Sequence, residues 1–217
     1  MLARELLNLS TPSIALGMSW EKVLRIFERE HFRELAILDG DRFLGFLSQE
    51  DLPVENMEAP VSDFLSASES KVQGDTHLYD VLRVSFEHGM CGVAVEEQNV
   101  YRGTITLEDM VGAFAKMSSS RSPGVVLQLR MQEHEYHLQE LVGLIEGHGT
   151  KILAVHLMPD LSDVRYLDVH IKISARDALH PILSSLNRKG YQVNAFPTKK
   201  DSVVHRNIDT LMRYLDI

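Results

Sequence analysis

GFLSQED, from Gly45 to Asp51, and GTITLED, from Gly103 to Asp109, read almost alike: a glycine, alternating apolar residues, a hydroxyl residue, then an acidic pair. The two glycines stand 58 positions apart, and the same ungapped offset relates much of the chain before them. At that shift Ala3 to Ser10 falls on Val61 to Ser68, Trp20 to Arg25 on Leu78 to Arg83, and Leu35 to Asp39 on Val93 to Glu97. Self-similarity held in register over such a length predicts a duplicated structural unit.

Both copies give the same local reading. A short leading segment ends in Ser13-Ile14 or Lys71-Val72. A helix follows, with apolar positions Trp20, Val23, Leu24 and Phe27 in one copy and Leu78, Val81, Leu82 and Phe86 in the other. Two strands come next, Leu35–Leu38 with Phe43–Leu47, and Val93–Val95 with Val100–Thr106, turning at Asp39-Gly40-Asp41 and at Gln98-Asn99. Ser48 and Thr106 are placed to cap a second helix, with Asp51 and Asp109 three residues on at the positive end of its dipole. Pro53, two residues after Asp51, predicts that this second helix is short or missing in the first copy.

Capping needs neither the preceding glycine nor a strand feeding the cap nor a second copy. The β-α-β-β-α order closing on glycine, hydrophobic, any residue, Ser/Thr, two residues, Asp resembles the cystathionine-β-synthase (CBS) domain. Two in tandem, residues 1–58 and 59–117, resemble a Bateman module. The resemblance implies a pair of clefts binding an adenine nucleotide as a regulatory ligand, of the AMP, ADP or ATP class. Carried over, Asp51 and Asp109 accept from ribose hydroxyls, Ser48 and Thr106 face ribose or phosphate, and the backbone of Ser13, Ile14 and Leu35, or of Lys71, Val72 and Val93, flanks adenine. A fixed carboxylate suits a diol and free helix N–H groups suit an anion. Glycine at 45 and 103 admits a close approach of ligand or backbone. Lys71 is the favoured phosphate partner, ahead of Arg33, Arg42 and Arg102; its counterpart Ser13 is neutral, so the two clefts differ.

SSSRSPG, Ser118 to Gly124, breaks both periodicities and reads as a linker over 118–123. Residues 124–197 then give strand, helix, strand, strand, helix, strand: Val125–Met131, Leu138–Ile145, Lys151–Met158, Val164–Ile173, Ala178–Arg188 and Tyr191–Phe196. This ferredoxin-like βαββαβ order resembles the ACT domain in topology more than in motif. Tyr136-His137 stands where that family has Pro-Gly, and of its Gly-x-Asn only Gly149 carries over, so dimerisation is the implied role ahead of amino-acid sensing. The fold class expected is α+β, a CBS pair followed by an ACT-like domain, a layout similar to acetoin-utilisation accessory proteins. Residues 198–217 end in an amphipathic stripe, Ile208, Leu211, Met212 and Leu215, expected to dock on the body or on a partner subunit.

Composition bounds the rest. The 217 residues are 44% hydrophobic and 24% charged, as in globular proteins. A formal net charge of −9 without a basic cluster argues against nucleic acid. No apolar run approaches the roughly 20 residues needed to span a bilayer. With a single cysteine, Cys91, flanked by Met90 and Gly92, no disulfide framework is available, and a cytoplasmic protein is expected. His134 and His137, with Glu133 and Glu135, read as a solvated surface, so no metal site is expected. No nucleophile elbow, phosphate loop or zinc-protease helix occurs. The expected protein is a non-enzymatic regulator without a resident cofactor, a homodimer acting on an unidentified regulated protein, with a ligand-free adaptor subunit as the alternative.

Overall fold

The structure is a computed structural model describing residues 1–30, 32–52, 61, 70–174 and 178–197, with the side chains of Glu30 and Asp51 left out of account. The stretch after Pro53, where the second helix of the first repeat is expected to be short or missing, and the C-terminal stripe lie outside the described residues. The chain divides into two compact units, Met1–Phe114 and Ala115–Ile217.

The first unit holds both repeats. Repeat one contains β1 (Ser13–Ala15), α1 (Trp20–Glu30), β2 (Glu34–Asp39) and β3 (Arg42–Ser48), closed by a 3-10 turn at Gln49–Asp51. Repeat two contains β4 (Lys71–Gln73), α2 (Leu78–His88), β5 (Gly92–Glu97) and β6 (Val100–Thr106), followed by α3 (Leu107–Met117). Each repeat forms a three-stranded sheet, β1-β2-β3 or β4-β5-β6, its first pair parallel and its second antiparallel. The offset of the sequences reappears bond by bond. Ser13 faces Ala36 as Lys71 faces Ala94, and Glu34 faces Ser48 as Gly92 faces Thr106.

The repeated glycine has a structural cause. Both antiparallel pairs carry a bulge at the same place: register steps from Ile37↔Gly45 to Leu38↔Phe43, and from Val95↔Gly103 to Glu96↔Tyr101. Gly103 has φ 150°, and a Cβ there would stand 3.0 Å from Leu7 Cδ2. The close approach that the glycine admits is thus made by the chain's own N-terminal segment.

That segment crosses to the other repeat. Ala3 N donates to Thr76 O, Arg4 N to Gly74 O, and Leu78 N to Met1 O, while Asn8 bridges Thr104. Within residues 1–12 the backbone of Met1, Ala3, Arg4 and Asn8 bonds to repeat two, while that of Glu5, Leu6 and Thr11 bonds inside the segment. Val61, the repeat equivalent of Ala3, packs in the core of repeat one with Ile14, Trp20, Val23, Phe27, Leu35, Ile37 and Leu47.

One helix position departs from the periodicity reading. Phe86 is 88% exposed, and Ser85, the repeat equivalent of Phe27, is buried instead with its Oγ donating to Met90 O. A strict period placed Phe86 one residue off the stripe, and the hydroxyl at 85 is tolerated there because a backbone carbonyl accepts its proton.

The second unit comprises β7 (Val125–Gln132), α4 (Leu138–Glu146), β8 (Ile152–Pro159), β9 (Tyr166–Ile173), α5 (Leu179–Arg188) and β10 (Gln192–Pro197). Its sheet has the order β10-β7-β9-β8 with every neighbouring pair antiparallel. Alternation sends Val125, Leu127, Leu129 and Met131 of β7, and Leu167, Val169, Ile171 and Ile173 of β9, into one core with Leu141, Ile145, Ile182 and Leu186 of the helices. The predicted linker is held down: buried Lys172 donates from Nζ to Ser119 O, and Ser119 Oγ donates to Leu153 O. No helix among the described residues is long and apolar enough to cross a membrane.

Candidate functional site

In each repeat the first strand begins, the second begins and the third ends at one edge of the sheet. The register therefore gathers the predicted Ser13 and Ser48 there, together with Glu34, in repeat one, and the predicted Lys71 and Thr106, together with Gly92, in repeat two. Ile14, Leu35 and Val93 are fully buried and Val72 is 8% exposed, so these side chains belong to the core and only their backbone is available to a ligand. Ser48 Oγ accepts from Glu50 N, capping the 3-10 turn. The side chain of Asp51 lies outside the described residues.

Repeat two shows a complete capping box. Asp109 Oδ2 accepts from Thr106 N at 3.0 Å and from Thr106 Oγ1 at 2.6 Å, while Asp109 N donates to Thr106 Oγ1 at 3.2 Å. The carboxylate finishes α3 in this state. All of its recorded bonds fall on Oδ2, which leaves Oδ1 without a partner among the described residues and able to accept from a diol.

Lys71, predicted to meet phosphate, is engaged elsewhere. Its Nζ lies 3.0 Å from Glu96 Oε2, and the Glu96 side chain is only 4% exposed. Arg102 pairs with Glu97 at 3.4 Å. Arg42 opens β3, at the far end of the strand from Ser48.

Two acidic residues that sequence reasoning missed shape this edge. Glu34 Oε2 accepts from Cys91 N at 2.8 Å and Gly92 N at 3.0 Å, joining β2 of one repeat to the start of β5 in the other. Burial holds the Glu34 carboxyl above the ordinary carboxylate range, against the two N–H donors and the Arg33 charge that pull it down. Burial and the Glu34 charge together push the Cys91 thiol up, which disfavours its thiolate. Glu96 is the second missed residue. Their signal was available in the repeat alignment, where charge stands opposite a neutral partner: Glu34 against Gly92, Glu96 against Leu38.

The second unit carries an open cleft of about 1040 Å³ lined by Arg130, Gln132, His134, Glu135, Tyr166 and Tyr191 among others. His134 and His137 both border it. No group of three or more His, Cys, Asp or Glu side chains arranged to hold a metal occurs among the described residues.

Residues 3–52 match the CBS domain family, so a CBS domain is present at the start of a mixed α+β chain. The fold resembles the crystal structure of a CBS domain pair/ACT domain protein from Thermotoga maritima, 19% identical, with a TM-score of 0.50 over 54% of this chain and 98% of that one. Also similar are CBSX2 in complex with AMP, at 16% identity and a TM-score of 0.48 over 54% and 97% of the two chains, and the CBS domains of a transcriptional regulator from Streptococcus pneumoniae, at 13% and 0.48 over 52% and 98%. At 19% identity the likeness to the Thermotoga maritima protein is one of fold.

Proposed function

We propose that this chain is a non-enzymatic regulatory protein that binds an adenine nucleotide at the sheet edges of a CBS pair. Its second unit, ferredoxin-like in strand order and ACT-like in kind, serves to hold a homodimer or to sense a small ligand, and the protein acts in the cytoplasm on a partner encoded elsewhere. One observation carries the reading. In repeat two a sheet edge, a helix N-terminus, a buried hydroxyl and a carboxylate with one uncommitted oxygen converge at Thr106 and Asp109. A diol and an anion are the groups such a set recognises.

The test is thermal unfolding with AMP, ADP, ATP, S-adenosylmethionine or NADH. A ligand at 100 times its Kd stabilises by about 2.7 kcal/mol, a shift of a few degrees. An undiminished shift in the Asp51→Ala, Asp109→Ala double variant would overturn the site.

A second reading is favoured by the closed capping box itself: the repeats are ligand-free and the chain is an adaptor subunit of a metabolic assembly, such as an acetoin-type pathway. It predicts no shift with any of the five compounds and capture of a client that depends on residues 198–217.

A further inference from the structure

The charges of repeat two bear on which adenine ligand its cleft takes. Register places Lys71 opposite Ala94, Gln73 opposite Glu96, and Ala94 opposite Thr104, so Lys71, Glu96, Thr104 and Thr106 share one face of the sheet. On that face the Lys71 ammonium sits 3.0 Å from a carboxylate that is 4% exposed, while its own side chain is 47% exposed. A buried carboxylate deprived of its cation is strongly disfavoured, because neither water nor another donor replaces the lost partner. Lys71 is therefore bound to stay. Arg102 pairs with Glu97, and the Arg33 charge faces the Glu34 carboxyl. Glu34, Glu108 and Asp109 add negative charge to the same surroundings. A polyphosphate entering here meets carboxylates beside a lysine whose charge a buried glutamate already offsets. The arrangement is specific to this copy, since the equivalent positions in repeat one are Ser13 and Leu38.

We infer that the Lys71–Glu96 pair makes the cleft of repeat two selective for adenosine ligands of low negative charge, with affinity falling as phosphates are added. The inference rests on the nucleotide-binding reading above and names its ligand class. Titration calorimetry of the full chain with adenosine, AMP, ADP and ATP in magnesium-free buffer tests it, alongside Glu96→Gln and Glu96→Leu, the latter placing the residue of repeat one. The expected result is adenosine binding at least about tenfold tighter than ATP in the wild type, with ATP gaining about tenfold and adenosine unchanged in either variant that folds. Tighter binding of ATP than of adenosine by the wild type, or an equal change for all four ligands in the variants, overturns the inference alone. Failure of all four to bind the wild type removes the nucleotide reading and this inference with it.

Discussion

Phe43 and Tyr101 hold the same place in the two repeats and stack on each other, ring centroids 6.2 Å apart and planes 13° from parallel. Equivalent residues of a duplicated unit meet in this way beside the axis that relates the copies. Ala36 and its own equivalent Ala94 share the same small core with Phe43 and Phe46, and Tyr101 N donates across it to Asp41 O. Phe43→Ala removes a buried aromatic from the seam and is expected to cost about 3–5 kcal/mol in chemical denaturation. Tyr101→Phe keeps the ring, loses only the hydroxyl bond to Thr104, and should cost about 1 kcal/mol.

Glu34 ties the same seam and predicts a pH dependence. Its folded pKa is raised, chiefly by burial, so its stabilising contribution is present below the unfolded carboxylate value of about 4.3 and is lost as pH rises through the folded value. The Tm of the wild type relative to Glu34→Gln should therefore be more favourable at pH 4 than at pH 7. A difference moving the other way would refute the assignment. Glu34→Ala strands two backbone N–H groups at either pH and should lose about 1–3 kcal/mol.

The two phenylalanines of the helical stripes separate cleanly. Phe27 is 2% exposed in the core of repeat one, and Phe27→Ala is expected to destabilise by about 3–5 kcal/mol. Phe86→Ala, at an 88% exposed position, should stay within about 0.5 kcal/mol of the wild type.

The capping box gives a further measure. Thr106→Ala deletes both hydroxyl bonds at the start of α3 and should cost about 0.5–2 kcal/mol by denaturation without ligand. Asp109→Asn keeps an acceptor and should cost less than Asp109→Ala.

Lys172 anchors the segment that reads as a linker. With Lys172→Met the carbonyl of Ser119 loses its donor, and tryptic cleavage after exposed Arg121 should accelerate several-fold relative to the wild type. Unchanged cleavage would mean that the turn at Ser119, with φ 53°, holds itself.

The candidate site was legible only in part. Thr106 and Asp109 could be placed at a helix start because a cap is a property of four consecutive residues, and the structure shows that box closed. The same locality hid what it meant for binding, since one bonding pattern serves both a cap and a ligand shelf. Lys71 was found by type and position, but its partner Glu96 lies 25 residues on and meets it only because β4 and β5 pair in register.

The residues in order were enough to establish the duplication, the alternation of helix and strand within each repeat, the hairpin turns and the hydroxyl caps. Each of these rests on periodicity or on neighbours a few positions apart, which a linear reading preserves. Tertiary structure alone decided that the N-terminal segment bonds to repeat two while Val61 packs in repeat one, that Ser85 takes the buried place and Phe86 the solvent, and that Glu34 spans the seam to Cys91 and Gly92. Those outcomes depend on which distant backbone groups lack a hydrogen-bond partner and which cavities remain to be filled once the sheets have met, and both become defined only when the chain is folded.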